Sequence, residues 1–254
     1  MKVIRSLVIA FSMYSKIPVP QFAWEEEDMK YVLCFLPFVG TVVGGFFYLT
    51  MRFAAAGSFG PVFTVCLGAV IPLLLTGGIH VDGYMDTMDA FHSYQSKERK
   101  LEILKDPHIG AFSVIMLLCY YLLYLGFLSE IKDEKDILMV ALGFVLSRIM
   151  GGFGVVFLKP SKKDGLLKIF SDTASKKIVA VVLGIEFLVC AILFLRISPL
   201  TGGLVLLFTV GIFRYCKNRC YREFGGVSGD SAGYLIEMVE LTILIVVAVC
   251  GKWI

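Results

Sequence analysis

The sequence carries few charged residues for its length. Of its 254 residues only 18% are charged, whereas 57% are hydrophobic, and an ordinary soluble domain has about a quarter charged residues. The formal net charge of +3 gives no general attraction to nucleic acid, so we expect no nucleic-acid partner. Because the apolar residues are gathered into long blocks, the composition indicates a protein that lies in a lipid bilayer.

The sequence also lacks two features that would point elsewhere. Its seven cysteines fall mostly in apolar blocks, and no second pair joins Cys216 and Cys220 to complete a zinc site. The N-terminal segment has no small-x-small cleavage site, and Ser12 and Ser15 interrupt its apolar run, so a signal peptide is not indicated. We expect residues 3–14 to form a short interfacial or half-inserted helix that the mature protein retains.

Seven apolar blocks are long enough to cross a bilayer, since a spanning helix needs about 20 residues. They cover residues 31–56, 61–79, 111–129, 137–158, 178–196, 198–213 and 234–250. Blocks 61–79 and 111–129 contain no charged residue, and block 198–213 is the shortest. No internal repeat or low-complexity linker divides the chain. We therefore predict an all-α polytopic integral membrane protein, with about seven transmembrane helices in a single domain over residues 1–254.

The connections between the blocks indicate an orientation. Three long connections, 80–110, 159–177 and 214–233, are rich in lysine and arginine, whereas the others are short. Their basic residues are Lys97, Arg99, Lys100, Lys105, Lys159, Lys162, Lys163, Lys168, Lys176, Lys177, Arg214, Lys217, Arg219 and Arg222. Positive charge marks the cytoplasmic side, and seven crossings place all three basic connections there. We expect an amphipathic helix over residues 82–105 to roof a pocket that opens to the cytoplasm.

A row of aspartates opens the first basic connection. Asp82, Asp86 and Asp89 are spaced i, i+4 and i+7, which puts three carboxylates on one face of a helix. A row of charges is usually a solvated helix face, but this row has one sign and directly follows an uncharged membrane block. Oxygen ligands without cysteine favour Mg²⁺, with Mn²⁺ as an alternative. The spacing therefore predicts a metal site.

The same connection contains every histidine of the chain. His80, His92 and His108 all lie within it, although clustering alone assigns no role to any of them. Asp106 begins a rigid turn before the next block and is either a further metal or substrate contact or a helix-capping residue. We count Lys105 and His108 among the candidate contacts to a phosphorylated substrate.

A glycine-rich segment over residues 225–233 forms the second candidate site. Its glycines let the backbone approach a ligand closely, and Ser231 or Asp230 is expected to cap the helix that follows. A helix N-terminus favours phosphate binding, so the candidate phosphate contacts are Gly226, Ser228, Gly229 and Ser231. The acidic residues Asp230, Glu237 and Glu240 are further candidate metal ligands, the last two spaced i, i+3 where the helix enters the membrane.

Two ionisable residues fall inside predicted spans, where such residues are rare and often functional. Arg148 is a candidate phosphate-binding residue from the cytoplasmic half of its helix. Glu186 is interpreted as structural. One face of the membrane would thus carry carboxylates for a divalent metal, glycine loops for phosphate and basic residues for a polyanion. Phosphoryl transfer needs these groups, because positioning and charge neutralisation supply most of its catalysis.

At these residues the chain resembles the cobalamin synthase family, the adenosylcobinamide-GDP ribazoletransferases. The motifs that carry the resemblance are residues 16–20 (KIPVP), 77–83 (GGIHVDG) with Asp86 and Asp89, 101–110 and 225–237. They follow one another in the family's order and extend over nearly the whole chain. Departures are mild, with Tyr84 and Met85 where smaller or aliphatic residues are more frequent, and Tyr234 where alanine is usual.

The resemblance implies a Mg²⁺-dependent transferase of late cobalamin biosynthesis, multi-pass in the inner or cytoplasmic membrane, with its active site facing the cytoplasm. It would join adenosylcobinamide-GDP to α-ribazole or its 5′-phosphate and release GMP. In this interpretation Asp82, Asp86 and Asp89 hold metal, and Asp89 or His80 removes a proton from the attacking hydroxyl. The expected partners are these small molecules and the bilayer, and a homo-oligomer is allowed.

Two other functions are open at this point. The Asp82-Gly83-x-x-Asp86 pattern is similar to that of CDP-alcohol phosphotransferases, in which CMP leaves, but their longer motif has other residues after this pair. A cation-coupled transporter would place its acidic residues near the bilayer midplane in broken helices. The predicted position of the acidic residues in and beside cytoplasmic connections favours an enzyme.

Overall fold

Helices are the regular elements of the computed structural model, which describes residues 2–161 and 174–253. In chain order they are α1 (Lys2–Tyr14), α2 (Glu26–Met29), a 3₁₀ turn (Val32–Phe35), α3 (Leu36–Ala56), α4 (Pro61–Thr76), α5 (Ile79–His92), α6 (Lys97–Ile103), α7 (Ala111–Leu128), α8 (Glu134–Phe157), α9 (Lys176–Ile197), α10 (Pro199–Phe224) and α11 (Gly229–Trp253). Within this part of the chain there is no β-strand, only one isolated bridge between Pro160 and Val227. The predicted all-α class is confirmed.

Six helical segments are long and apolar enough to cross a membrane, and the count rises to seven if the bent pair α4–α5 forms one span. The prediction of about seven transmembrane helices is therefore confirmed. The N-terminal helix α1 is shorter, with Val3 and Ile4 exposed. Its Arg5 guanidinium pairs with the Asp28 carboxylate at 2.8 Å, so α1 is attached to the segment that leads into α3.

The chain bends by 95° between α4 and α5. Gly77 and Gly78 both have positive φ, 65° and 75°, a conformation that glycine adopts without a steric penalty. The single amphipathic helix predicted for residues 82–105 is wrong, because the chain forms α5, then a break, then α6, which is capped by the Ser96 hydroxyl. Nor is α5 a roof, since it packs tightly against α11 and α7.

The basic connection predicted for residues 214–233 is mostly helical. Helix α10 continues through its basic residues to Phe224, and α11 begins at Gly229, so only residues 225–228 connect them. Lysine and arginine do not end a helix, because their long side chains can reach water from a helix end at the membrane surface. Gly225 ends α10 instead, with φ of 74° and its N–H donating to the Tyr221 carbonyl at 3.1 Å.

Helices α8 and α11 form the centre of the bundle, and most of each is buried. Helix α3 approaches α8 closely at Gly40 and Gly44, where an added Cβ would overlap the carbonyls of Phe144 and Ala141. Small residues at i, i+4 allow such close packing in membranes. The outer helices α7, α9 and α10 expose large apolar side chains, including Leu118, Leu122, Ile185, Leu188 and Leu207. An apolar outer surface of this kind is suited to lipid.

Contacts at the two ends of the bundle show which connections lie together. At one end Arg52 pairs with Glu134 and Lys252 pairs with Glu130. At the other end Lys100 pairs with Glu223 at 2.6 Å. There the Val227 N–H also donates to the Lys159 carbonyl at 2.9 Å. Parts of all three basic connections therefore meet at one end, while Lys162, Lys163 and Lys168 lie outside the described residues.

Candidate functional site

The aspartate row (Asp82, Asp86 and Asp89) lies along one side of α5, as its spacing predicts. All three residues line one cavity of about 110 Å³. The cavity, here named the aspartate cavity, is completed by Met85, Ile103, His108, Ile109, Gly110 and Ser113. Asp82 is exposed, and Asp86 and Asp89 are partly buried. The structure thus brings the row together with His108 from the segment before α7.

Asp89 lies against the N-terminus of α7. A Cβ added to Gly110, the residue that precedes this helix, would overlap the Asp89 carboxylate. Glycine is therefore required at position 110 because the Asp89 carboxylate leaves no room for a side chain, and not because the backbone of Gly110 has a positive φ. The Asp89 carboxylate is thus held in direct contact with the backbone at the start of α7.

Asp82 lies where three cavities meet. Besides the aspartate cavity, it lines a cavity of about 230 Å³, here named the buried cavity, with His80, Gly83 and Asp230. It also lines a cavity of about 450 Å³ beside Lys16, here named the lysine cavity. One carboxylate can therefore reach ligands bound in each of the three spaces.

The aspartate row fits a magnesium ion by its chemistry. Its donors are carboxylate oxygens, which Mg²⁺ prefers. Across residues 2–161 and 174–253, no three His, Cys, Asp or Glu side chains are grouped closely enough to hold a metal ion by themselves. Mg²⁺ at phosphoryl-transfer sites is commonly bound by one or two carboxylates together with substrate phosphates. The row is therefore suited to a metal that arrives with a phosphorylated substrate.

Two glycines place α5 across the start of α11. A Cβ on Gly83 would lie 2.7 Å from the Asp230 carbonyl oxygen, and one on Gly233 would lie 2.9 Å from the His80 carbonyl oxygen. The rings of Tyr84 and Tyr234 stack beside this crossing, with centroids 6.1 Å apart. These contacts bring the aspartate row and the glycine-rich segment into one site.

The serines of the glycine-rich segment cap α11. The Ser231 N–H donates to the Ser228 hydroxyl at 3.1 Å, and the Ser228 N–H donates to the Ser231 hydroxyl at 2.7 Å. Ser228 therefore occupies the N-cap position that was expected for Ser231 or Asp230, so that expectation is wrong, and Ser231 completes the reciprocal cap from the first turn of the helix. Both serines are buried. Their proposed contact with phosphate stays a prediction that competes with these hydrogen bonds.

The glycines of this segment serve different purposes. A Cβ on Gly226 would overlap the Lys159 carbonyl, so Gly226 allows the segment to pair with residues 159–161. Gly229 is exposed and lines the buried cavity beside Asp230. The Asp230 carboxylate accepts a hydrogen bond from the Ser228 hydroxyl at 3.3 Å. Gly229 and Asp230, together with Ala232 and Gly233, are thus the members of the segment that line a cavity with Asp82.

The glutamate pair (Glu237 and Glu240) lies inside the helix bundle instead of at the helix start. Glu237 accepts a hydrogen bond from the Tyr120 hydroxyl at 2.7 Å. Glu240 forms an ion pair with Arg148 and accepts a hydrogen bond from the Ser147 hydroxyl at 3.0 Å. Arg148 is only 1% exposed. The structure does not bring the glutamate pair or Arg148 into the cavities that Asp82 lines.

Asp106 and His108 form an exposed turn beside the aspartate cavity. The Asp106 carboxylate accepts a hydrogen bond from the backbone N–H of His108 at 3.0 Å. A second hydrogen bond joins the same carboxylate to Nδ1 of the His108 ring at 2.6 Å. These hydrogen bonds lower the pKa of Asp106 below its usual value, the backbone one most. Lys105 is exposed on the same turn. Of these three residues, His108 lines the aspartate cavity.

Two residues near Asp82 were not among the site residues predicted from the sequence. Lys16 lines the lysine cavity, and its side chain packs over Gly77, where an added Cβ would lie 2.6 Å from Lys16 Cγ. Tyr14 stacks on His80 with ring centroids 6.1 Å apart. The sequence feature that could have indicated these two residues is the KIPVP motif of residues 16–20. It includes Lys16 and follows Tyr14 closely.

Comparison with known proteins identifies the family. The family described as cobalamin-5-phosphate synthase matches residues 6–248. An adenosylcobinamide-GDP ribazoletransferase of Lachnoclostridium phytofermentans is 45% identical over 241 residues, covering 95% of this chain and 92% of its own. One from Clostridium botulinum is 31% identical over 238 residues, covering 93% of this chain and 94% of its own. No solved structure matches. This chain belongs to the cobalamin-5-phosphate synthase family.

Proposed function

We propose that this chain is a Mg²⁺-dependent transferase that joins adenosylcobinamide-GDP to α-ribazole, or to α-ribazole 5′-phosphate, and releases GMP. The names of its relatives supply the substrates. The observation that carries the proposal is the position of Asp82 at the corner of three cavities. Two large substrates must meet at one phosphorus atom in this reaction, and a carboxylate that borders several binding spaces suits that requirement.

The reaction forms one bond to phosphorus and breaks another. A ribose hydroxyl of the ribazole attacks the phosphorus that carries the cobinamide arm, and the bridging P–O bond breaks so that GMP leaves with that oxygen. Asp89, held against Gly110, accepts the hydroxyl proton in this proposal. His80 is the other candidate, but it lies almost fully buried beside Tyr14, away from the aspartate cavity.

The aspartate row would hold the metal. Mg²⁺, when bound, supplies positive charge that offsets the charge of the diphosphate and of the departing GMP. The Lys16 side chain borders the lysine cavity and would add a cation for the same diphosphate. Among the described residues Lys16 forms no ion pair, so its charge is available for this contact.

We further propose that the site faces the cytoplasm from the inner or cytoplasmic membrane. The bundle end that carries the aspartate row also carries the described parts of the three basic connections, and positive charge favours the cytoplasmic side. The opposite end has short connections that include residues 57–60 and 129–133. Adding a membrane-impermeant thiol reagent to intact cells with single cysteines at either end would test this orientation.

The decisive experiment measures GMP release by the purified protein in lipid nanodiscs, given adenosylcobinamide-GDP and α-ribazole with and without Mg²⁺. We expect release that requires metal, and a loss on the order of 10²–10³-fold in Asp82→Ala. Glu130→Ala is the matched control, because Glu130 pairs with Lys252 at the far end of the bundle. Full release without any divalent metal, or an unaffected Asp82→Ala, would contradict the proposal.

A further inference from the structure

The buried cavity differs from its two neighbours in being lined mainly by apolar side chains and glycine backbone. Its apolar lining consists of Leu36, Ile79, Val155, Ala232 and Ile236, with backbone from Gly83, Gly151 and Gly233. Among the described residues, the polar side chains of the lining are those of Tyr14, His80, Asp82 and Asp230. A space of about 230 Å³ with a polar edge suits a flat, mostly apolar group that has a polar attachment.

His80 lines this cavity and has a ring nitrogen without a hydrogen-bond partner. The residue is only 4% exposed, and its Nε2 atom has no hydrogen-bond partner among residues 2–161 and 174–253. Buried polar groups in folded proteins are almost always hydrogen-bonded, so an exception requires an explanation. The adjacent cavity offers one, because a ligand that fills it can supply the missing partner once the imidazole ring turns toward it.

The close crossing of α5 and α11 fixes the shape of this space. Gly83 approaches the Asp230 backbone and Gly233 approaches the His80 backbone, so the two helices lie in close contact beside this cavity. A Cβ on Gly151 would lie 2.8 Å from the Ile236 side chain, so glycine at this position leaves room for Ile236 in the lining. A planar ring fits between such walls better than a branched or highly charged group does.

We propose that the buried cavity binds the benzimidazole base of the ribazole substrate, an inference that rests on the function proposed above. A benzimidazole is planar and largely apolar, and it has one ring nitrogen that is not bonded to the sugar. His80 Nε2 is the group that would pair with this nitrogen. Because Asp82 borders both the buried cavity and the aspartate cavity, the sugar attached to the base would extend toward the aspartate row.

The other parts of the two substrates suit this cavity less well. A diphosphate would meet the carboxylates of Asp82 and Asp230, and none of the lining residues within 2–161 and 174–253 is basic, whereas the lysine cavity offers Lys16. The corrin ring is far larger than the enclosed space. His80 is thus a positioning residue that recognises the base, and proton removal is left to Asp89.

The test measures binding without chemistry. The protein in nanodiscs is titrated with α-ribazole in the absence of metal and of adenosylcobinamide-GDP. Val155→Phe fills the buried cavity, and we expect it to weaken α-ribazole binding at least about tenfold while GDP binding stays within about twofold. His80→Phe keeps the ring stacked on Tyr14 but removes the nitrogen, and we expect a loss on the order of five- to tenfold.

The matched control is Val181→Phe, which adds the same side chain on the exposed surface of α9 and should leave α-ribazole affinity unchanged. In turnover assays, Val155→Phe should raise KM for α-ribazole and leave KM for adenosylcobinamide-GDP unchanged, a pattern that general loosening of the fold would not give. If Val155→Phe does not fold, His80→Phe carries the test alone.

The outcomes separate this inference from the proposed function. Wild-type GMP release together with unchanged α-ribazole affinity in the folded variants overturns the inference and leaves the function standing. A lipid chain retained in the cavity while α-ribazole still binds normally overturns it as well. A wild-type protein that neither binds α-ribazole nor releases GMP overturns the proposed function and the inference with it.

Discussion

Two sets of carboxylates in this chain have similar helical spacing and different surroundings. The aspartate row lies on α5 and lines cavities that reach the end of the bundle. The glutamate pair lies two to three turns inside α11, where Tyr120 and Arg148 occupy its oxygens. Spacing alone would assign both sets to the same metal site.

The difference shows that the neighbouring helices, rather than the spacing, decide what a carboxylate near a membrane does. A carboxylate whose partners come from its own bundle contributes to the structure, because removing either partner leaves a buried charge unpaired. The glutamate pair also lines a cavity, but that cavity measures only about 20 Å³ and is shared with its own partners Tyr120 and Arg148. The cavity along the aspartate row is larger, about 110 Å³, and can admit a ligand. The expected outcome is that variants of the aspartate row lose turnover, whereas variants around the glutamate pair lose stability.

The largest effect is expected from Asp89→Asn. Asparagine has nearly the same shape but cannot accept the proton, so kcat for GMP release at saturating Mg²⁺ should fall on the order of 10²–10⁴-fold. The unfolding temperature should stay unchanged, since Asp89 lines a cavity and asparagine fills the same space. Full turnover in this variant with metal in excess would exclude Asp89 as the base.

A smaller effect, on stability, is expected from Arg148→Met. The variant removes the cation that pairs with Glu240 inside the bundle, and breaking a buried pair on one side costs on the order of 3 kcal/mol. We expect a lower free energy of unfolding by denaturant titration, largely restored when Glu240→Leu is added. The folded fraction should keep its KM for adenosylcobinamide-GDP. Unchanged stability with a raised KM would instead support the sequence-based prediction that Arg148 binds phosphate.

The helices and the aspartate row could be predicted from the sequence because each depends on local pattern. Apolar blocks of sufficient length identify the spans, and a period of 3.6 residues places three aspartates on one side of a helix. The same dependence on local pattern explains where the prediction was wrong. Arg219 and Arg222 signalled a loop by their charge, yet they continue α10, because charge marks the membrane surface and not the end of a helix.

The surroundings of the site depend on contacts between distant parts of the chain, which local pattern does not contain. Nothing in the vicinity of Arg148 in the sequence indicates that Glu240 is its partner. The buried cavity likewise arises only where α1, α3, α5, α8 and α11 meet. The glycines at 83 and 233 are visible in the sequence, but their use in a helix crossing requires both helices.

The smallest effect is expected from Asp106→Asn. Asp106 represents a third situation, an exposed carboxylate satisfied by its own turn through the His108 N–H at 3.0 Å. Because these hydrogen bonds lower its folded pKa, the turn gains stability above the ordinary carboxyl pKa of about 3.9 and loses it only as pH falls through the lower folded value. At neutral pH the asparagine oxygen can still accept the same hydrogen bond, so turnover should fall by less than about threefold.

A carbon-13 NMR titration of the Asp106 carboxyl, assigned by its absence in Asp106→Asn, would measure the pKa directly. We expect a midpoint below about 3.9 in the wild-type protein and a shift toward that value in His108→Ala, which keeps the backbone N–H but removes the ring. If Asp106→Asn instead lost as much turnover as Asp89→Asn, and extra Mg²⁺ restored it, Asp106 would belong with the aspartate row. The distinction between carboxylates that border a cavity and those satisfied by their own surroundings would then fail at this turn.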